Sequence, residues 1–386
     1  MTEVLPGVHW VGAVDWSVRI FHGYHTDEGS SYNAYLLCSA EDEYVLIDTV
    51  KAAFAEELFE RVCQLCPPEK LAYIIMNHAE NDHSGALPLV IDRFPNAVIV
   101  TNEVCKQNLC RIHQTLSRCT FKIVNDKTEL QLENMSFRFV HVPLLHWPDS
   151  MMTYCPTLKA LFSNDGFGQH IACPERYVDQ FGDEKSRIIE LLREYNANIL
   201  GPFQDQAKFA VGKLSGLEIQ TILPAHGVGW RGPDIGIAVR EYSLFAQRKQ
   251  TGNELTIIFQ STSGATRRIA DALAQTAPLK IHYADLDFTD LTKCALYAYT
   301  SRFLAFGSPT IRGAMTPRVE AAMHYLRGLN LIHGRKVLLF GAYGWAEKSV
   351  KTMAQLAAAA GGECIAQKTV KLQPDDQWIR DFESEV

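Results

Sequence analysis

Several features that would place the sequence in a common functional class are missing from it. No apolar run is long enough to span a bilayer, which excludes a membrane-spanning protein. A formal net charge of -7 leaves no basic excess, so nucleic acid is disfavoured as a partner. No basic region precedes an apolar segment near Met1, so we expect no secretory signal and predict a cytoplasmic protein.

Cysteine is present but is not arranged for structural bonds. The ten cysteines are scattered without a disulfide framework, so we interpret them as reduced thiols. Cys63 and Cys66 have the spacing of a redox or metal pair, but the chain contains no second pair of that spacing. A four-cysteine iron site of the rubredoxin type is therefore excluded, and packing is the better interpretation of this pair.

The residues at 77–85 are the most informative stretch of the chain. They follow the apolar run 71–76, which is typical of a buried strand, and we expect a helix to begin near Ser84. Two histidines and two carboxylates occupy six positions here, and in a loop they can divide between two directions, as a two-metal site requires. These four residues are His78, Glu80, Asp82 and His83.

Three later polar residues also follow predicted strands, beside glycine or proline. They are His146, Asp165 and His226. Each alone is more typical of a turn residue or of a buried histidine whose hydrogen bonds are satisfied, but together they are able to close one site from several loops. This half alternates short strands with helices, such as those at 52–66 and 101–113, which favours two sheets with helices outside.

The composition changes near residue 250, where the polar stretch 247–254 predicts a hinge. The apolar strand 255–259 precedes a hydroxyl-rich loop and a helix, a pattern that favours either phosphate binding or simple helix capping. No P-loop lysine follows, so nucleotide hydrolysis is disfavoured. The segments 303–313 and 336–345 each predict a strand followed by a loop that offers small or aromatic residues to a ligand.

The metal-ligand pattern resembles that of the metallo-β-lactamase fold in its flavodiiron version. Hydrolytic members of that fold usually carry histidine where this chain has Glu80, and added carboxylate suits iron better than zinc. The resemblance implies an N-terminal αββα sandwich over residues 1–250 with two irons. It assigns His78, Glu80 and His146 to one iron, Asp82, His83 and His226 to the other, and Asp165 to both.

Residues 254–386 resemble flavodoxin, with a doubly wound parallel sheet built from about five strand–helix units. The resemblance implies FMN, because the dinucleotide glycine fingerprint that FAD requires is absent. Its phosphate is assigned to Ser261, Thr262, Ser263, Gly264, Ala265 and Thr266. The isoalloxazine is assigned to Ser308, Pro309, Thr310, Ile311, Ala342, Tyr343, Gly344 and Trp345.

The whole chain thus resembles a class A flavodiiron protein, an oxidoreductase that reduces O₂ to water, NO to N₂O, or both. The family implies a separate electron donor, such as rubredoxin or a reductase, and a head-to-tail homodimer or a dimer of dimers. His25 resembles the family's substrate-pocket histidine, and Tyr195 is a further candidate beside the substrate. A surface position is an equal alternative for His25.

Two other functions remain compatible with these residues. One is a dizinc hydrolase of the same fold with an accessory flavodoxin domain, which Glu80 argues against. The other is a flavin electron carrier with a structural metal domain, which leaves seven ligand-type residues without a function. The identity and number of the bound metal ions distinguish all three.

Overall fold

The computed structural model describes residues 2–39, 43–249 and 253–385. The chain forms two compact units, one of residues 1–195 and 203–247, the other of residues 196–202 and 248–386. We predicted a division between 250 and 254, and the residues 250–252 of the predicted hinge lie outside the described part. The short segment 196–202 belongs to the second unit, which the sequence did not reveal.

The first unit contains two large sheets, a pair formed by β3 and β6, and a hairpin formed by β4 and β5. The seven-stranded sheet has the order β1-β2-β7-β8-β9-β10-β11, and the six-stranded sheet has the order β12 to β17. The strands are β1 Thr2–Leu5, β2 Val8–Trp10, β3 Ala13–Asp15, β4 Ile20–Phe21, β5 Tyr24–His25, β6 Ser30–Tyr32, β7 Tyr35–Cys38, β8 Tyr44–Ile47, β9 Leu71–Ile75, β10 Val98–Thr101, β11 Phe121–Ile123, β12 Glu129–Gln131, β13 Ser136–His141, β14 Met151–Cys155, β15 Ala160–Asn164, β16 Thr221–Pro224 and β17 Trp230–Arg231.

Alternating apolar residues divide the first sheet between two cores. In β8, Val45 and Ile47 pack with residues of the second sheet, such as Phe162, whereas Leu46 packs on the opposite side with Leu58 of a helix. Successive strand residues point to opposite faces, so one strand supplies both cores. The result confirms two sheets face to face with helices outside.

Seven helices of the first unit lie within the described residues. They are α1 Ala55–Cys63, α2 Asn81–Ser84, α3 Leu87–Arg93, α4 Glu103–Ile112, α5 Lys185–Tyr195, α6 Gln204–Leu214 and α7 Asp234–Ala246. Cys66, just after α1, is buried in the core, in keeping with packing rather than redox chemistry. No helix in the described ranges is long and apolar enough to cross a membrane.

The second unit is a parallel five-stranded sheet of order β19-β18-β20-β21-β22, in which β18 to β22 each precede a helix. This is the 2-1-3-4-5 order of the flavodoxin-like fold, as predicted. The elements are β18 Glu254–Phe259, α8 Ala265–Thr276, β19 Lys280–Asp285, α9 Leu291–Thr300, β20 Phe303–Gly307, α10 Pro317–Gly328, β21 Lys336–Tyr343, α11 Ser349–Ala359, β22 Glu363–Lys371 and α12 Asp376–Glu385.

The segment 196–202 packs within the second unit through specific contacts. The amide of Asn198 accepts a hydrogen bond of 2.7 Å from the hydroxyl of Tyr325 in α10. A Cβ on Gly201 would lie 2.7 Å from the carbonyl oxygen of Leu329, so this approach requires glycine. Residues 196–200 form a π-helix in which every residue is buried. The second unit therefore includes a piece of chain that precedes the hinge by about fifty positions.

Candidate functional site

The predicted ligand stretch begins after β9 and ends in one helical turn. Glu80 has an extended backbone at the N-terminal boundary of α2, whereas Asp82 and His83 lie inside α2. The helix therefore begins at Asn81, three residues before the predicted position at Ser84. This change from extended to helical backbone explains how neighbouring residues face different sides of the site.

One group of ligand atoms forms around the carboxylate of Glu80. Its Oε2 lies 3.3 Å from Nε2 of His78 and 3.2 Å from Nε2 of His146. His146 comes from the loop between β13 and β14, about seventy residues away in the sequence. The structure therefore brings together the three residues assigned to the first iron.

A second group forms around the carboxylate of Asp82. Its Oδ2 lies 3.1 Å from Nε2 of His226 and 3.4 Å from Nε2 of His83. His226 follows β16 directly. All three side chains are buried, and their ligand atoms lie close enough together to hold one metal ion. These are the three residues assigned to the second iron.

Asp165 lies between the two groups and presents a different oxygen to each. Its Oδ1 is 3.2 Å from Nε2 of His83 and 3.4 Å from Nε2 of His226. Its Oδ2 is 3.5 Å from Nε2 of His146 and 3.9 Å from Nε2 of His78. A carboxylate in this position is able to bridge two metal ions.

Several of these buried atoms have no hydrogen-bond partner among the described residues, which tests whether the site fits metal. The unpartnered atoms are both carboxylate oxygens of Asp82, Oδ2 of Asp165, and Nε2 of His83 and of His226. A buried polar atom without a partner is costly, and bound cations would satisfy all of them. The nitrogen and oxygen donors fit two transition-metal ions, and the three carboxylates suit iron.

The carboxylates raise the pKa values of the histidines in the metal-free centre. Burial acts to lower the pKa of His226, but the adjacent carboxylates of Asp165 and Asp82 outweigh it and raise the pKa to about 10. Burial opposes the shift of His146 as well, and Asp165 and Glu80 raise that pKa to about 9. Protons therefore balance the carboxylates when metal is absent, and metal binding must displace them.

Two of the histidines are oriented from behind by groups that the sequence analysis did not select. Nδ1 of His78 lies 3.0 Å from Oδ2 of Asp149, which also accepts a hydrogen bond of 2.8 Å from the Ala79 amide. Nδ1 of His226 lies 2.7 Å from the carbonyl oxygen of Ser31. Such contacts fix the ring and leave Nε2 toward the metal. The sequence offered one indication of this role, because Asp149 lies three residues after the predicted ligand His146.

The backbone around the site is tightly constrained. Gly227, beside His226, has φ of +73°, and a Cβ there would lie 2.1 Å from Oε1 of Gln169. Asn164 and Leu144 also have positive φ, at 49° and 63°, and flank Asp165 and the loop of His146. Such conformations in non-glycine residues cost about 1–3 kcal/mol each and cluster at functional sites.

The two residues that were predicted to lie beside the substrate, Tyr195 and His25, occupy different environments. The hydroxyl of Tyr195, at the end of α5, donates a hydrogen bond of 3.1 Å to Oδ1 of Asp165. His25, by contrast, lies in the outer hairpin strand β5 with an exposed side chain. His22, in the turn of that hairpin, is the histidine that faces the centre, with Nδ1 3.2 Å from Oε1 of Glu80. The turn at residues 22–23 places the earlier histidine inward.

The loop to which the phosphate was assigned lies between β18 and α8, the strand-to-helix position that the sequence predicts. Gly264 caps α8 with φ of +85°, a left-handed conformation that favours glycine. The Ser261 hydroxyl accepts a hydrogen bond of 3.3 Å from the Arg267 amide. The buried hydroxyl of Thr266 has no hydrogen-bond partner among the described residues. A phosphate group at this helix N-terminus fits that orphan hydroxyl.

The two other predicted loops lie next to each other at the carboxyl ends of β20 and β21. The Thr310 amide donates a hydrogen bond of 2.8 Å to the carbonyl oxygen of Ala342. The Ser308 hydroxyl is buried and accepts a hydrogen bond from the Thr316 amide. Trp345 is 95% exposed and Ile311 38% exposed, so apolar surface borders these loops. A flat ring bound here would cover part of that surface.

Comparisons with known proteins agree on one family. Residues 31–227 match the family described as "ODP family beta lactamase". The chain is 34% identical to a protein named nitric oxide reductase from Moorella thermoacetica, over 97% of this chain and 93% of that protein. It is 33% identical to the rubredoxin-oxygen oxidoreductase of Megalodesulfovibrio gigas, over 93% and 90% of the two chains.

A solved structure extends the likeness to the fold of the whole chain. The flavodiiron protein from Giardia intestinalis superimposes with a TM-score of 0.93 and 41% sequence identity. The match covers 99% of this chain and 93% of that one. Both units described above are therefore included in the likeness.

Proposed function

The chain belongs to the flavodiiron protein family, and on that premise we propose that its seven clustered ligands hold two irons. It is an oxidoreductase that reduces O₂ to water, NO to N₂O, or both. The observation that carries the assignment of the centre is the position of Asp165. Its two oxygens face the two ligand groups separately, which is the arrangement a bridged pair of metal ions requires.

When bound, two ferrous irons and a reduced flavin together supply four electrons, enough to convert O₂ to water without releasing peroxide, while two NO molecules need two. The protein holds and shapes the centre in which this occurs. Tyr195 donates a hydrogen bond to Asp165 and stabilises its charged form. Burial first, and then Asp165, raises the pKa of the Tyr195 hydroxyl well above its usual value, so the hydroxyl keeps its proton.

Other side chains limit access to the centre. The ring of Trp147 meets that of His78 edge to face, with centroids 5.1 Å apart, and covers that side of the site. His22 faces Glu80 and is the better candidate than His25 for contact with a bound substrate. This revises the sequence prediction, which placed His25 in that position.

The flavin is proposed to be one non-covalent FMN per chain, held by the loops at residues 261–266, 308–311 and 342–345. The orphan hydroxyl of Thr266 and the left-handed Gly264 at the start of α8 support a phosphate there. We expect electrons to come from a separate donor, and the name of the Megalodesulfovibrio gigas relative supports a rubredoxin.

The dizinc hydrolase is the weaker alternative. Glu80 occupies the position that is usually histidine in hydrolytic members of the fold, and the named relatives are oxidoreductases. No observation favours hydrolysis specifically.

Replacement of the bridging residue tests the proposal. Asp165→Ala should lose at least one iron per chain, because neither ligand group then has its shared carboxylate. Asp126→Ala, which removes a partly exposed aspartate paired with Lys213, is the control and should keep both irons. Parallel measurements of O₂ and NO consumption under anaerobic control would show which substrate is preferred. Full iron content in Asp165→Ala would contradict the proposed bridge.

A further inference from the structure

A third set of possible metal ligands lies beside the two groups already described. It consists of His22, Glu80 and Asp82, whose nearest ligand atoms all lie within 4.8 Å of one another. Nδ1 of His22 is 3.2 Å from Oε1 of Glu80, and Nε2 of His22 is 3.9 Å from Oδ2 of Asp82. The set therefore takes one carboxylate from each of the two iron groups.

The two oxygens of Glu80 are divided between this set and the first iron group. Oε1 faces His22, whereas Oε2 faces His78 and His146. An ion held by His22 and Oε1 would already contact a residue of the inner centre. A small rotation of the carboxylate would then transfer the ion without complete loss of its ligands.

The exposed fraction of the side chain falls from His22 through Glu80 and Asp82 to the buried ligands. The side chain of His22 is 21% exposed and that of Glu80 16%, whereas Asp82 is 3% exposed and His226 is fully buried. An ion bound for the second group must therefore pass from solvent to ligands that solvent does not reach. Asp82 belongs both to the outer set and to that buried group.

The backbone of His22 is held in a conformation that histidine seldom adopts. Its φ is +50°, in the turn between β4 and β5, and the Phe21 ring packs edge to face against it at 4.0 Å between centroids. A non-glycine residue in this conformation carries strain, which the surrounding structure must outweigh. The turn thus presents the imidazole toward the two carboxylates from the solvent side.

We propose that His22, Glu80 and Asp82 form a capture site, where a divalent metal ion first binds before it moves to the buried centre. The capture site admits metal during assembly. It shares Glu80 and Asp82 with the seven ligands that retain the metal, and His22 is the residue that belongs to the capture site alone. The proposal rests on the proposed diiron function, since it describes how that centre is filled.

The test measures how fast metal-free protein takes up anaerobic Fe²⁺. His22→Asn removes the imidazole, and asparagine tolerates positive φ, so the turn should be preserved. We expect two irons per chain at equilibrium, as in the unaltered protein, but uptake slowed about tenfold, the lower range for loss of a group that assists metal binding. The slow phase should be the second iron, which must reach the buried group through Asp82.

Two further variants make the result specific. His22→Asp has nearly the shape of His22→Asn but replaces the neutral amide with an anionic carboxylate, which binds a divalent ion more strongly, and it should recover fast uptake. His25→Asn alters an exposed histidine of the same hairpin, three positions away, and should load at the normal rate.

The outcomes separate this proposal from the function of the centre. Normal uptake by His22→Asn, or equally slow uptake by His22→Asn and His22→Asp, would overturn the capture site while leaving the diiron centre intact. Loss of one iron at equilibrium in His22→Asn would also overturn it, because His22 would then be a permanent ligand. Failure of the unaltered protein to bind iron would instead overturn the proposed function.

Discussion

Asp149 is not one of the seven proposed metal ligands, yet it positions one of them. It holds Nδ1 of His78 at 3.0 Å and is itself held by the Ala79 amide and by Asn108. Asp149→Asn keeps the shape but removes the charge that orients the imidazole. We predict a loss of iron affinity of about 10–100-fold, as for other residues behind metal ligands, measured by competition with a chelator.

Asn108 provides the graded control for that prediction. Its amide donates a hydrogen bond of 3.1 Å to Oδ1 of Asp149, the oxygen that does not face His78. Asn108→Ala should therefore weaken iron binding less than Asp149→Asn. Equal affinity in Asp149→Asn and the unaltered protein would show that the contact with His78 is not needed to orient the ligand.

The ligand residues were predictable because each signal is local in the sequence: a metal-binding side chain that follows an apolar run. His78, Asp165 and His226 each follow an apolar strand. The strand before His78 belongs to the first sheet and the other two strands belong to the second, and the ends of these strands meet where the two sheets face each other. The inward position of His22 was not predictable, since it depends on the backbone conformation of the turn at residues 22–23. Asp149 was missed because its role depends on His78, about seventy residues away.

Glu254, at the start of β18, connects the strand to its neighbour β19. Its carboxylate contacts Nε2 of His282 at 2.6 Å and Nζ of Lys280 at 3.0 Å. Burial acts to raise the pKa of Glu254, but hydrogen bonds from His282, Thr300 and Lys280 outweigh it, and the pKa is lowered. A lowered carboxyl pKa stabilises the fold above the unfolded value of 4.5, and this contribution is lost as the pH falls below it.

Glu254→Gln should therefore lower the Tm at pH 7, and the difference from the unaltered protein should stay constant down to about pH 5 and shrink as the pH falls from there toward 3. Thermal unfolding followed at several pH values measures this. Glu363→Gln, which changes an exposed glutamate of β22, should show no such convergence. A difference in Tm that stays constant from pH 7 to pH 3 would mean that the ionised carboxylate is not the stabilising group.

Three strands of the second unit, β18, β20 and β21, followed the sequence closely, since each is built on an apolar run and precedes a loop and a helix. The segment 196–202 escaped prediction for a different reason. It continues directly from α5 of the first unit, and contacts such as those of Asn198 and Gly201 assign it to the second. A division of the chain by composition alone assumes that each domain is one continuous segment.

Expression of residues 253–386 without the segment 196–202 tests whether that segment contributes to the stability of the second unit. A fragment beginning at Asn253 contains all five parallel strands and the three flavin loops, so it should fold and purify as a yellow FMN protein. It lacks the partner of Tyr325, and we expect it to unfold at a lower temperature than the same unit in the whole chain. Release of FAD, or no flavin after reconstitution, would contradict the phosphate-loop assignment.

Each unit, considered separately, exposes large apolar side chains that an interface between chains would cover. In the segment that leads to His22, Trp16 is 60% exposed and Ile20 65% exposed, while Trp345 in the proposed flavin loops is 95% exposed. A head-to-tail homodimer, in which the flavin unit of one chain meets the metal unit of the other, would cover both surfaces. Electron transfer falls steeply with distance, so such a dimer would also favour fast turnover.

Mixing two inactive variants tests this arrangement. Thr262→Asp places a negative charge in an exposed position of the phosphate loop and should repel FMN, while Asp165→Ala should lose iron. Heterodimers would contain one intact pair of cofactors across the interface and should recover part of the activity. Subunit exchange without recovery, together with full activity in a dilute monomer, would contradict the dimer.

The metal content of the purified, anaerobically iron-loaded protein tests the diiron assignment most directly. Six ligands in two groups around a seventh, Asp165, predict two irons per chain, with oxygen consumption when the flavin is reduced. Stoichiometric zinc with no iron, and no oxygen consumption after iron loading, would contradict it.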